Sequence, residues 1–268
     1  NREQRARQHG AAARSKKRRA TPDFETTTGP TSRAGPRVAG PRSCYTIRMP
    51  RIHAGAVIER PPGPKYLDAL RFAELRLVGP APKPATLRRW AAELPDDFAT
   101  SLLVPRPAVI SERGALRFDE AMEAAHEWTM EALQHLGARF AVLRTAGEVS
   151  TGQRDRDRLA AWVERWTSDA HLVWHPTGLW DPELAAPFAR RLGLTLAFDP
   201  LEGEPPPGPL AYARLQAIGL RNRFGETELL ETLDALETSG AEDAYVAFDS
   251  PKSFDEARRL AQLGAPAA

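Results

Sequence analysis

The stretch that decides the fold spans residues 119–175. It holds the helix-like run DEAMEAAHEWTMEALQHLG at 119–137 and two strand-like runs, RFAVLRT at 139–145 and HLVWH at 171–175. The first run places apolar side chains at helical spacing between Asp119, which can cap a helix start, and Gly137, which can end one. A second apolar stripe precedes HLVWH at Leu159, Val163 and Trp166. A strand, a helix and another strand in this order predict a right-handed βαβ unit in a parallel sheet.

The same alternation extends in both directions from this stretch. Eight strand-like runs are found at 51–57, 73–78, 99–105, 139–145, 171–175, 194–198, 210–215 and 244–249. Helical patterns follow all but one of them; the exception is 199–209, whose five prolines predict a loop in place of a helix. The pattern predicts an α/β fold, a TIM-type (β/α)8-like parallel barrel, over residues 49–268. The alternative is an open doubly wound sheet, but no glycine-rich phosphate loop follows the first strand.

Charge divides the chain at the start of this pattern. Residues 1–48 contain 12 Lys and Arg against 3 Asp and Glu, and they show no hydrophobic period. The remainder carries 25 basic and 32 acidic residues, so the net charge of +2 hides a basic segment and an acidic domain. Residues 1–48 are predicted to be a disordered basic tail, either solvated or upstream of the true start. The alternative is an arm that binds nucleic acid, and if nucleic acid is a partner it binds through this tail alone.

Composition narrows the class of protein further. No apolar run approaches the ~20 residues of a membrane span, and the amino terminus lacks the apolar core of a secretory signal. Cys44 is the only cysteine, which rules out an intrachain disulfide and a cysteine-based zinc site. We therefore predict a cytoplasmic protein with no membrane partner.

Candidate site residues lie where the predicted strands end. Reactive groups of a TIM barrel lie at the carboxyl ends of the strands and in the loops that follow. Side chains alternate along a strand, so Glu74 shares a face with Arg76, and Arg214 shares one with Gln216. We expect these four to line the barrel mouth together with five further polar residues: His53, Arg144, His175, Asp199 and Asp249.

Two interpretations of the charged residues stay open. One is a pocket for a small anionic or sugar-like ligand, because the planar fork of arginine matches phosphate and carboxylate groups. The other is an internal salt-bridge layer, in which Glu74 neutralises Arg76 or Arg214. If the protein is an enzyme, Glu74 and His175 are the predicted catalytic pair, since an imidazole titrates near neutral pH.

Histidine spacing does not predict a metal site. His171 and His175 lie four residues apart on a strand, ~13 Å, which is too far for two ligands of one ion. His126 and His135 are expected on the solvated face of a helix. The chain also lacks the HExxH, P-loop and GxSxG patterns, so the cofactor is left unknown.

Six segments in order resemble the family called domain of unknown function 72 (DUF72, YecE-like). They are FAELRL at 72–77, PATLRRWA at 84–91, LPDDF at 94–98, WHP at 174–176, YARL at 212–215 and AYVAFD at 244–249. The resemblance extends from about residue 49 to residue 264. It implies a TIM-type barrel whose biochemical activity is not established for the family.

The departures from the family pattern concern polar positions. Glu74, His175 and Arg214 match family residues, whereas Arg76 and Gln216 stand where the family has asparagine and histidine. The opening family motif GTSGWSY is replaced by AGAVIER at 54–60, and other family polar residues are replaced at Leu172, Trp174, Asp249 and Ser250. These changes favour a diverged member that acts in binding. The alternatives are an acid–base or hydrolytic enzyme on a small anionic or sugar-like substrate, and a nucleic-acid-associated protein that uses residues 1–48.

Overall fold

The structure is a computed structural model, and it describes residues 49–145, 147–219 and 222–265. The predicted basic tail at 1–48 lies outside these residues. Within them, no helix is both long enough and apolar enough to cross a bilayer.

Eight parallel strands close into a barrel, which confirms the predicted TIM-type fold. In chain order the strands are β1 Arg51–Ile58, β2 Phe72–Leu75, β3 Ala99–Leu103, β6 Phe140–Arg144, β7 His171–His175, β8 Thr195–Phe198, β9 Leu210–Gln216 and β10 Asp243–Asp249. A short hairpin, β4 Ile110–Ser111 with β5 Gly114–Ala115, interrupts the connection after β3. Around the barrel the order is β1-β10-β9-β8-β7-β6-β3-β2.

Helices follow seven of the eight barrel strands. They are α1 Pro64–Ala69, α2 Pro84–Ala92, α3 Glu120–Leu136, α4 Gln153–Glu164, α5 Pro182–Arg191, α6 Glu226–Thr238 and α7 Ser253–Leu263. The connection from β8 to β9 has no helix, as its prolines predict. The barrel therefore has one irregular crossover, between β8 and β9.

The hydrophobic core has two layers because side chains alternate along each strand. The inner layer fills the barrel and includes Phe72, Phe140, Val173 and Tyr245. The outer layer lies between the strands and the helices, where residues such as Trp174 contact the helical stripes. Inward positions near the strand ends are polar, and this polar layer forms the candidate site.

Helix α3 shows how the sequence sets an element boundary. Asp119 accepts a hydrogen bond from the Met122 N–H at 2.9 Å, and Gly137 ends the helix in a left-handed conformation. His126, expected on the solvated face, is instead 6% exposed and packs edge to face against Trp162 with ring centroids 5.0 Å apart. The expectation was wrong because the aromatic rings of Phe118, Trp162 and Trp166 surround the imidazole.

Candidate functional site

The polar residues that the sequence placed at strand ends largely meet at the carboxyl-terminal mouth of the barrel. Arg144 and His175 are the last residues of β6 and β7 and are register partners. Asp249 and Gln216 are the last residues of β10 and β9 and are also register partners. Neighbouring strands lie ~4.8 Å apart, so each pair brings two polar side chains to adjacent places on the rim.

Below the rim, Glu74 and Arg214 form a buried ion pair. Arg214 donates from Nη2 to Oε1 of Glu74 at 2.7 Å and from Nε to Oε2 at 3.1 Å. The Glu74 side chain is 0% exposed and that of Arg214 is 1% exposed. A carboxylate and a guanidinium satisfy each other in this two-bond geometry, which is what allows both charges to be buried.

Two hydroxyl groups extend this ion pair toward β3. The Tyr212 hydroxyl donates to Oε2 of Glu74 at 3.0 Å and lies 2.9 Å from Oγ of Ser101. A hydroxyl carries one proton and a carboxylate only accepts, so Ser101 donates in turn to Tyr212. Burial, followed by the charge of Glu74, raises the pKa of Tyr212 well above its usual range, and the phenol stays protonated.

His175 is held as a neutral imidazole by Arg214. Nη1 of Arg214 lies 2.8 Å from Nδ1 of His175. A guanidinium has no acceptor, so Nδ1 must accept and the ring proton is carried on Nε2. Burial and then the charges of Arg214 and Arg144 lower the pKa of His175 well below its usual range. At neutral pH the side chain therefore offers an N–H donor and has no free lone pair.

Asp249 joins the rim residues of three strands. Nη1 of Arg76 donates to its two oxygens at 3.0 and 3.1 Å, and Nε2 of Gln216 lies 3.3 Å from Oδ2. Arg214 approaches the same carboxylate at 3.9 Å. Glu59 approaches Arg76 from the solvent side at 3.7 Å. Arg76 is thus a paired cation, neutralised by Asp249 and not by Glu74.

Arg144 differs from the other two arginines of the mouth. Within the described ranges no carboxylate lies within 4.0 Å of its guanidinium and no hydrogen bond holds it, and the side chain belongs to an exposed residue. Its pKa is lowered, first by partial burial and then by Arg214, while Asp249 and Glu74 oppose that change. It remains charged at neutral pH, as arginine does in proteins.

The charged groups that act on Arg144 are paired with one another. Two guanidinium groups, on Arg76 and Arg214, and two carboxylates, on Glu74 and Asp249, interact electrostatically with it. These four balance one another, and Glu59 lies beside Arg76, so what distinguishes Arg144 is that no carboxylate of the described residues lies within 4.0 Å of its guanidinium.

Of the two remaining predicted mouth residues, Asp199 lies at the carboxyl-terminal end of the barrel and His53 does not. Asp199 follows β8, and its side chain accepts a hydrogen bond from the Leu201 N–H at 2.9 Å, which shapes the start of the helix-free connection. His53 is not at the mouth, and that prediction was wrong. It pairs in register with Tyr245, stacks on that ring at 4.5 Å and lies 3.2 Å from Asp243 at the amino-terminal end of the barrel. Tyr245 lies four residues before Asp249 on the same strand, so His53, its register partner, lies ~13 Å below the mouth.

The loops that follow Arg144 and His175 are joined by hydrogen bonds and a backbone contact. The Thr177 hydroxyl donates to the Thr145 carbonyl at 2.5 Å, and the Thr145 N–H donates to the His175 carbonyl at 3.2 Å. A Cβ on Gly178 would lie 2.8 Å from Cα of Gly147, so the two backbones touch. These contacts fix the ends of β6 and β7 relative to each other.

Sequence reasoning missed two members of the site, Ser101 and Tyr212. Both lie on inward-facing positions of their strands, Tyr212 two residues before Arg214 and Ser101 beside Glu74 in register. The period of two along β9 could have identified Tyr212. Among the described residues, no group of three His, Cys, Asp or Glu side chains is arranged to hold a metal ion.

Sequence comparisons return no match: no protein-family model matches the chain, and no curated protein matches it. Solved structures do match. A DUF72 family protein from Thermotoga maritima MSB8 has 17% identity and a TM-score of 0.59, covering 80% of this chain and 98% of that protein. A DUF72 family protein from Enterococcus faecalis V583 has 15% identity and a TM-score of 0.57, covering 80% and 96%.

A third structure belongs to a protein described by another domain name. It is a xylose isomerase domain containing protein from Salmonella typhimurium LT2, with 12% identity and a TM-score of 0.55, covering 79% of this chain and 96% of that protein. At these identities the likeness concerns the fold. It agrees with the resemblance found in the sequence: the chain has the TIM-barrel fold of DUF72 family proteins.

Proposed function

We propose that this chain is a diverged DUF72-type barrel that binds a small anion at its mouth, with Arg144 as the principal ligand-binding residue. The observation that carries the proposal is the position of Arg144. It is an exposed guanidinium at a strand end, without a carboxylate partner among the described residues, above a layer whose other charges are paired. A cation left over in this way is suited to a ligand that brings the negative charge.

Binding is favoured over catalysis because both predicted catalytic residues are already engaged. Glu74 is fully buried and accepts hydrogen bonds from Arg214 and Tyr212. A general acid or base must lie within hydrogen-bond reach of the substrate, and Glu74 lies below the rim. His175 cannot act as a general base while Arg214 occupies Nδ1 and the proton occupies Nε2.

His175 instead supports anion binding as a second donor. Its Nε2–H belongs to the strand next to Arg144, at the same register level. A guanidinium fork and a neutral N–H donor side by side suit the oxygens of a phosphate or a carboxylate. Because burial and the neighbouring arginines lower the pKa of His175, the side chain contributes an N–H donor and no positive charge at neutral pH.

Nucleic acid remains a second predicted partner, through residues 1–48. The charge asymmetry of the sequence is the only support for it. Deleting residues 1–48 should abolish salt-sensitive binding to an oligonucleotide, because phosphate contacts release counterions. Unchanged binding after the deletion would rule out the basic tail as the contact.

A thermal-shift screen of the full chain tests the proposed function. The panel is phosphate, sugar phosphates, neutral sugars, divalent metal ions and short oligonucleotides. A ligand that binds only the folded state at 100 times its Kd stabilises it by about 2.7 kcal/mol. We expect phosphate and sugar phosphates to raise the Tm and neutral sugars to leave it unchanged. A shift with neutral sugars alone would contradict an anion site.

A further inference from the structure

Among the described residues, the most exposed large apolar side chains lie on the loops of the barrel mouth. Val78 is 65% exposed, Leu179 is 68% exposed and Ile218 is 69% exposed. They follow β2, β7 and β9, so all three belong to loops at the carboxyl-terminal end of the barrel. The remaining exposed large apolar residues among those described are less exposed, from 39% to 46%, and none of them lies in a loop that follows a barrel strand: Met49, Leu184 and Leu230.

Location separates these side chains from ordinary exposed residues. Single exposed apolar side chains are common on protein surfaces and need no explanation. Three at one end of a barrel, on the loops that carry ligand contacts in this fold, form a pattern. No described contact of these side chains with a core cluster gives them a role in stability.

Barrel order places Arg144 between them. β6, which carries Arg144, has β7 with its Leu179 loop on one side. Beyond β7 and β8 lies β9, followed by the Ile218 loop. On the other side of β6, β3 separates it from β2 and the Val78 loop. An anion at Arg144 therefore has apolar side chains on both sides along the rim.

We infer that the ligand of the mouth is an amphipathic anion, with its acidic group at Arg144 and an apolar body against Leu179 and Ile218. The inference rests on the proposed function, since it assigns a class to the same ligand. Charge complementarity selects the head group, because Arg144 is exposed at a strand end and no carboxylate of the described residues lies within 4.0 Å of its guanidinium. The exposed apolar side chains of the rim select an apolar body, because a ligand that removes their surface from water binds more favourably.

Calorimetric titration of the full chain with a series of straight-chain carboxylates tests the inference. The series is acetate, butanoate, hexanoate and octanoate, below the concentrations at which they form micelles. Burying one methylene is worth about 0.8 kcal/mol, which is about a fourfold gain in affinity. We expect affinity to rise by up to that factor per methylene, and Leu179→Ser with Ile218→Ser to remove most of the rise.

Two control variants distinguish the contribution of the apolar body to the affinity from that of the head group. Leu230→Ser changes an exposed leucine on the outer face of α6, so the dependence on chain length should stay as in the parent protein. Arg144→Gln should weaken every member of the series by a similar factor, because all share the carboxylate. Phosphate, titrated in parallel, reports on the anion site without an apolar body.

The outcomes distinguish the inference from the function on which it rests. If phosphate binds through Arg144 and all carboxylates bind like acetate, the anion site stands and the amphipathic ligand is overturned. If affinity rises with chain length but Leu179→Ser and Ile218→Ser leave the rise intact, the apolar body lies elsewhere and the inference fails. If neither phosphate nor any carboxylate binds, both proposals fall.

Discussion

Replacing Glu74 by glutamine should lower the free energy of unfolding by about 3 kcal/mol, because it leaves the buried charge of Arg214 without its counter-ion. Glu74 accepts bonds from Nη2 and Nε of Arg214 at 2.7 and 3.1 Å. Glutamine keeps the shape and one acceptor oxygen, but its amide nitrogen cannot accept. The nearest remaining carboxylate, that of Asp249, is 3.9 Å from Arg214.

The size of the effect follows from the burial of the pair. Removing one partner of a buried ion pair costs about 3–5 kcal/mol, and the acceptor that glutamine retains places this change at the lower end. For a domain of this size each kcal/mol corresponds to about 2–4 °C in Tm, so the variant should melt about 6–12 °C lower.

Urea denaturation and thermal melting of the parent and Glu74→Gln proteins measure this loss. Glu59→Gln is the matched control: Glu59 is exposed and 3.7 Å from Arg76, so the same substitution should cost less than about 1 kcal/mol. In the double variant Glu74→Leu with Arg214→Met both charges are gone, and it should be more stable than the sum of the single losses implies. A loss below about 1 kcal/mol for Glu74→Gln would refute the buried-pair reasoning.

Three further predictions concern the rim. The pKa of His175 is lowered in the folded state, so below about pH 6.5 the unfolded chain binds more protons and the free energy of unfolding decreases as the pH falls. His175→Asn, whose side-chain oxygen can still accept from Arg214, should make this decrease between pH 7 and pH 5 shallower by up to about 1.4 kcal/mol per pH unit. An unchanged slope in denaturation experiments would contradict this. Gly178→Ala should destabilise the protein by about 1–3 kcal/mol, because φ is +80° and the new Cβ would meet the backbone of Gly147. Gly63→Ala is the control, since a Cβ at Gly63 meets no atom within 4 Å. Equal melting temperatures for the two variants would contradict the prediction. Arg144→Gln should leave the free energy of unfolding within about 0.5 kcal/mol of the parent, and a larger loss would reveal an intramolecular partner.

Much of the fold was predictable because strand and helix periods repeat along the chain. Eight apolar runs gave eight barrel strands, and the prolines of 199–209 marked the connection without a helix. Boundaries were less certain: the second strand was expected at 73–78 and is Phe72–Leu75. The local sequence does not show where contacts with the neighbouring strands and helices begin and end. For the same reason α4 buried His126 against expectation.

The site was predictable as a set of positions but not as a set of partners. Strand ends identified Arg144, His175 and Asp249, since all carboxyl ends of a parallel barrel meet at one mouth. His53 was misplaced although the strand itself was predicted almost correctly, at 51–57 against Arg51–Ile58, because the third residue of a strand lies near its amino-terminal end. Pairing depends on distances between strands, so the choice of Arg214 and not Arg76 as the partner of Glu74 required coordinates.

The most direct test of the anion site is calorimetric titration of the full chain with inorganic phosphate, comparing the parent with Arg144→Gln and with Arg88→Gln. Arg88 is an exposed arginine on α2, away from the mouth. Losing a hydrogen bond to a charged group costs about 1.5–3 kcal/mol, so we predict that Arg144→Gln weakens phosphate binding by about 10- to 100-fold. Arg88→Gln should bind as the parent does. Absence of phosphate binding by the parent protein, or equal affinity in all three proteins, would contradict the anion site.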